Sequence, residues 1–396
     1  MIIKKIKMNY EKIFSVFFFS IIILSMFNTV NASSAYSSPP DILLKTYKTG
    51  LNKLDDIAIS NKGTYVIGSN IEKNVYLFNQ DDTLLWTFPG NDRILNVGIS
   101  ADGSNIIAST ADGMVYVLND KGKIIWNDAS GRWINAVDIT SDGKFFAEGA
   151  NNGNIYIFDS LKNEISHNSI PHTIRAIDLS GNANYEVVGD DHGTVSLFNN
   201  KGELIWNYPT GESVNCVGIS DDGNSIISGN AGGKLYFFNR AGKRIWTYRS
   251  EKEIISCSMS SDGKYIIAGS LDQNVYFLQN DGSLLWTYKT DDEVPGVSIS
   301  PNGIFIAAIS AEKRILSSSP EGVIHFFQNP NNMETAITPP SQILPTPSIT
   351  PSQTTTPTPK PWYLEREIYI LIISLIIVGL CFGIFEMYQS KFQKKE

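Results

Sequence analysis

Apolar positions recur every forty residues between positions 54 and 333: one place is filled in turn by Leu54, Ile94, Ile134, Ile174, Val214, Ile254 and Val294. Each copy holds short runs of β-branched and aromatic residues cut by turn signals. In the sixth copy the runs IISCSMS, KYIIAGS, NVYFLQ and SLLWTYK are separated by Ser261-Asp262-Gly263, Leu271-Asp272-Gln273 and Asn280-Asp281-Gly282. Asp-Gly pairs reach positive φ at low cost, which tight hairpins need, so each run turns back antiparallel to the last. Four short antiparallel strands in about forty residues make a propeller blade. Seven copies therefore predict an all-β, seven-bladed β-propeller over residues 42–329.

The seventh copy departs from the pattern. Its second strand, at 304–310, is followed by AEKRILSSSPEG before the third strand VIHFFQ, a nine-residue insertion at 311–319, and no fourth strand follows. The missing strand is legible at the other end: LLKTYKTG at 43–50 resembles LLWTYKTD at 284–291, with Lys45 in place of tryptophan. An N-terminal strand closing the last blade would leave the ring without a free edge. Trp86, Trp126, Trp206, Trp246 and Trp286 hold one place on the fourth strand, and Tyr76, Tyr116, Tyr156, Tyr236 and Tyr276 one place on the third. Large aromatics at a fixed place in a repeat read as packing between blades.

The ends carry different information. Residues 1–32 join four lysines, an apolar run at 13–27 and Val30-Asn31-Ala32, the order of a secretory signal peptide cleaved after Ala32. Residues 330–362 form a Pro/Thr/Ser-rich stalk that favours extended, semi-rigid chain. Residues 363–388 hold an uncharged run at 368–385, IYILIISLIIVGLCFGIF, behind Trp362 and Tyr363, with Lys391, Lys394 and Lys395 after it. That arrangement predicts one transmembrane helix, a cytoplasmic tail at 389–396 and a propeller on the extracellular side of the cell membrane.

Removing the leader's four lysines and one glutamate takes the formal charge from −8 to about −11. So acidic a surface argues against nucleic acid as a partner. Of the three cysteines, Cys381 lies in the apolar run. Cys216 and Cys257 occupy adjacent places in the repeat, and neighbours along a strand point to opposite faces, so the two are expected to be buried thiols rather than a disulfide.

The run SDGKYIIAGSLDQNVYFLQNDG at 261–282 resembles WD-repeat propellers, and NDGSLLWTYKT at 280–290 is similar to the tryptophan motif of quinoprotein-like (PQQ-binding-like) propellers. The resemblance covers residues 42–329 and implies the fold. The third strands end in pairs such as Phe78-Asn79 and Phe158-Asp159 instead of Trp-Asp, with Asp112 and Asp272 left as remnants of the WD turn aspartate. Quinoprotein enzymes resemble the chain in their tryptophan motif, yet they usually have eight blades and a vicinal disulfide, and here seven copies and no Cys-Cys pair stand against a bound quinone.

In a propeller the turns between strands two and three share a face with the loops running from strand four into the next blade. Arg93, Trp133, His172, Arg175 and His192 fall on that face around blades two to four, near Asp190 and Asp191, and are the candidate ligand-binding residues. His172 and His192 lie in the two loop types of one blade and can approach each other. No His/Cys run has the linear spacing of a metal site, and Asp291-Asp292-Glu293 lacks that of a calcium loop, so no metal, no cofactor and no catalytic residue is expected. The insertion offers Glu312, Lys313, Arg314 and Ile315 as a partner-contact loop. The chain reads as a monomeric, single-pass, non-catalytic scaffold binding a protein partner or small ligand. The alternative is a surface enzyme or glycan-binding module with its site in the central funnel.

Overall fold

A computed structural model describes residues 42–129, 133–312 and 320–332; the predicted leader, stalk, span and tail lie outside the described residues, apart from a short 3-10 turn at Pro330–Asn332. Among the described residues no helix is long and apolar enough to cross a membrane.

The described residues form seven four-stranded antiparallel sheets. The first comprises Leu54–Ile59, Tyr65–Asn70, Asn74–Asn79 and Leu84–Pro89, and the next five follow the same order. Burial peaks in the middle strands of a blade and is lowest in the outer one. In blade two the second strand Asn105–Thr110 and third strand Met114–Asn119 are buried over four or five consecutive positions, while the fourth, Ile124–Ala129, is largely exposed. Unbroken apolar runs in the middle strands suit a sheet covered on both faces, and each blade is covered by its two neighbours.

The seventh sheet confirms the expected closure. Gly296–Ile299, Phe305–Glu312 and Glu321–Gln328 are completed by the N-terminal Leu43–Asn52, which pairs antiparallel with Glu321–Gln328 through Thr46 opposite His325 and Lys48 opposite Val323. The hairpin of the second and third strands runs two residues into the insertion, pairing Ala311 with Gly322 and Glu312 with Glu321.

The fourth-strand tryptophans join the blades as their period implies. Trp86 Nε1 donates to Asp120 O at 2.9 Å and Trp206 Nε1 to Arg240 O at 2.9 Å, each reaching the hairpin turn of the following blade. The Trp206 ring lies on Gly242, where φ is +77° and an added Cβ would come within 2.8 Å of the indole. Lys45, standing where a tryptophan would stand in blade seven, sends Nζ to Gln80 O in the equivalent turn of blade one and pairs with Asp82 at 2.5 Å. The ring is thus closed by a cation making the contact that an indole makes elsewhere.

Inner strands are joined differently. Each has one edge paired within its sheet and one edge facing the channel, whose N–H groups need other acceptors. Side chains 41 residues earlier supply them: Asp56 Oδ2 accepts from Val97 N at 2.9 Å, Asn96 Oδ1 from Val137 N at 3.1 Å, and Ser256 Oγ from Val297 N at 3.1 Å.

One expectation is corrected. Cys216 and Cys257 form a disulfide, with Cα atoms 5.6 Å apart. Opposite faces would keep them apart within one sheet, but they belong to consecutive blades, where the front of one sheet meets the back of the next. Opposite parity is what brings them together, at the same separation of 41 that the inner hydrogen bonds show.

Candidate functional site

The seven inner strands wall a channel of about 390 Å³. Each strand enters from the face of the fourth-to-first loops and leaves at the first turn, so equivalent residues form rings. One mouth is lined by Asp55, Asn135, Arg175 and Asn215, and the other by Ser141, Asp221, Ser261 and Pro301. At the second mouth Ser141 Oγ donates to Asp221 Oδ1 at 3.1 Å and lies 3.2 Å from Ser261 Oγ. Backbone bonds cross between blades there, Ala101 N to Ser141 O at 2.9 Å and Asp221 N to Ser261 O at 2.9 Å.

Buried carboxyls occupy the wall between the mouths. Burial pushes Asp56 up to about 7, although Val97 N and Asn96 hydrogen-bond to it. Asp138 and Asp178 come from adjacent blades and hydrogen-bond to each other; burial raises Asp138 to about 6 and Asp178 well above the usual carboxylate range, the charge of Asp138 adding to the latter. Two such close carboxyls cannot both ionise, so Asp178 keeps its proton and donates it to Asp138. Each is also tied to the next blade, Asp138 Oδ2 accepting from Leu179 N at 2.9 Å and Asp178 Oδ2 from Ile219 N at 2.7 Å. The arrangement is a polar tube with a proton held between two blades. None of it was singled out from the sequence, since the acids are isolated in the chain and meet only when the ring closes. Their recurrence at 138 and 178, one period apart, was the available signal.

The five residues named from the sequence lie on the expected face. Its two loop types are tied together, Ala111 N donating to Arg93 O at 2.8 Å, Asn151 N to Trp133 O at 2.8 Å, and Asp191 N to Thr173 O at 3.0 Å. Arg93 is engaged by Asp55 at 3.2 Å. Arg175 is exposed on the channel wall, and Trp133 stands 61% exposed in the loop before the inner strand Ile134–Ile139. His172 and His192 do meet: their rings stack with centroids 3.7 Å apart and planes 15° apart. His192 Nδ1 lies 3.0 Å from Asp191 Oδ1, and this hydrogen bond is the main reason that the Asp191 carboxyl lies below its usual value. His172, Asp191 and His192 each offer a ligand atom, all within 4.8 Å of one another, and could hold a metal ion. Asp190 serves the turn itself, its buried carboxylate accepting from Thr194 N at 2.7 Å.

Of the proposed contact loop, Glu312 is drawn back onto the closing strand, where Lys48 Nζ lies 2.7 Å from its Oε2. Lys313, Arg314 and Ile315 lie outside the described residues.

Two family profiles match parts of the propeller. Residues 72–213 are similar to the outer membrane protein assembly factor BamB, and residues 210–293 to the lambda-carrageenase beta-propeller domain. The repeats resemble PQQ-like propeller repeats. Together the two matches run from blade one into blade six, and the tryptophans at 86, 126, 206, 246 and 286 all fall within them. No curated protein matches the chain. A propeller of this kind fits a binding or scaffold role.

Proposed function

We propose that the chain is a non-catalytic, membrane-tethered scaffold that binds a protein partner on the face carrying Trp133, Arg175 and the His172–His192 pair. The observation that carries this reading is the indole of Trp133, 61% exposed in the loop that leads into the inner strand Ile134–Ile139. An indole left in water is a large apolar area with one polar handle, the side chain most often found as the anchor of a protein interface. Arg175 nearby on the same mouth suits a carboxylate or carbonyl of the bound group.

The tether follows from the sequence: a leader at 1–32, an extended spacer at 330–362 and one span at 363–388 hold the ring away from the outer surface of a cell membrane. The Cys216–Cys257 disulfide supports export, because such bonds persist in oxidising compartments. The likeness to an outer membrane assembly factor supports a scaffold role.

One observation favours a second reading, a glycan ligand: the same exposed indole would stack on a sugar ring, and residues 210–293 are similar to the propeller domain of a lambda-carrageenase. A photoreactive amino acid placed at 133 in the full-length protein, in its native membrane, separates the two. A protein adduct at 133, absent when the probe replaces Leu161 on the opposite face, is the expected result. A saccharide adduct selects the second reading, and no adduct from 133 rejects both.

A further inference from the structure

We propose that His172, Asp191 and His192 form a binding site for one divalent transition-metal ion, with zinc the occupant that best suits two imidazoles and a carboxylate. The chain has four histidines, and the fold stacks two of them at 3.7 Å beside an acid. Blade four alone is built this way: the places of His172 and His192 hold Asp92 and Asp112 two blades earlier, and Glu212 and Gly232 in the blade that follows.

The two loops are held in register by the bond from Asp191 N to Thr173 O at 3.0 Å, so the ligands are brought together by backbone rather than by chance contact of side chains. The three ligand atoms lie within 4.8 Å of one another. Metal–nitrogen bonds of about 2.0–2.1 Å in a tetrahedral site put ligand atoms about 3.4 Å apart, so closing the site asks the ligand atoms to approach by about 1 Å and the stacked rings to turn until both nitrogens face one point. Asp191 and His192 are exposed and His172 is half-buried, so rotation about their side-chain bonds supplies that movement without disturbing the core.

The donor set selects the ion. Imidazole nitrogen with one carboxylate suits zinc, nickel or copper(II), whereas magnesium and calcium prefer all-oxygen cages and copper(I) prefers sulfur. Three protein ligands leave a position open to solvent on the rim, where an outside carboxylate or imidazole can complete the sphere. This inference stands on the histidine cluster and is independent of what Trp133 contacts.

The test uses the full-length protein, purified without a polyhistidine tag and freed of metal, titrated with Co²⁺ as a visible probe and then with Zn²⁺. The expected result is one equivalent of Co²⁺ with the intense absorption of a four- or five-coordinate site, displaced by one equivalent of Zn²⁺. His172→Ala abolishes it, His172→Gln and His192→Ala weaken it at least about tenfold, and His167→Ala, on the neighbouring fourth strand, leaves it unchanged. Circular dichroism on each variant confirms that the exposed substitutions leave the ring folded. No bound equivalent in the parent protein, or an equivalent that survives both His172→Ala and His192→Ala, overturns the proposal.

Discussion

Cys216 and Cys257 are bonded across the seam between blades five and six, 41 residues apart in sequence. The bond closes a loop that spans one whole blade and sits on the channel wall, where side-chain hydrogen bonds also join neighbouring inner strands. The double variant Cys216→Ser, Cys257→Ser is expected to lose about 2–4 kcal/mol of stability. Thiol titration in denaturant checks the pairing first, with one reactive thiol before reduction and three after it.

The closing strand gives a second expectation. Leu43–Asn52 supplies the outer strand of blade seven, and Lys45 makes the contact to blade one that a tryptophan makes elsewhere. Deleting residues 42–52 bares Phe326 and Phe327, which are 1% exposed, and opens the ring. The melting temperature should fall by at least about 10 °C, since several kcal/mol of burial and pairing are lost at once. Lys45→Trp should retain closure, whereas an unchanged melting temperature in the deletion would refute it.

The tryptophans are not equivalent. Trp206 donates to Arg240 O at 2.9 Å, whereas Trp126 Nε1 is buried without a hydrogen-bond partner among the described residues. Trp206→Phe should cost about 1–2 kcal/mol for the lost bond and the carbonyl it leaves, while Trp126→Phe should be nearly neutral. Denaturant melts of the two variants give the comparison directly.

The buried carboxyls set a dependence on pH. Asp56 and Glu186 are raised to about 7 and Asp138 to about 6 by burial, and Asp178 is raised as well. Each binds its proton more tightly in the folded chain; the contributions of Asp56, Asp138 and Glu186 are fully present below the unfolded value near 4 and are lost as pH rises through 6–7. His325 works the other way: burial lowers it to about 4, so its contribution is present above about 6.5 and is lost as pH falls toward 4. Between pH 8 and 6.5 the carboxyls act almost alone, and the melting temperature should rise as pH falls across that window. Asp178→Asn keeps a donor to Asp138 in place of an acid that is already neutral, so it should change stability by no more than about 1 kcal/mol across this window. A melting temperature that falls steadily from pH 8 to 6.5 contradicts this reading.

The blades were legible because their strands, turns and tryptophans repeat at a fixed spacing, so each copy corroborates the others. The closing strand was legible for the same reason, as a fragment of the repeat out of place. His172 and His192 were legible as neighbours because the loop types of one blade must meet. What escaped was everything made between blades on the channel side. Cys216 and Cys257 were judged by the two faces of a single sheet, when in a propeller the faces that meet belong to different sheets. Asp138 and Asp178 look like two ordinary acids until the ring sets them side by side. The cysteines lie 41 residues apart, one more than the repeat, as do the inner-strand hydrogen bonds, whereas Asp138 and Asp178 fall at the same place of two successive repeats, 40 apart.

The central claim is that the face carrying Trp133, His172 and His192 is where this protein meets another. Chemical cross-linking of the full-length protein in its native membrane, followed by mass spectrometry of the linked peptides, tests it most directly. Links from a second protein to peptides of that rim, lost in Trp133→Ala, are the predicted result. Self-links alone, or links confined to the opposite face around Leu161, would contradict it.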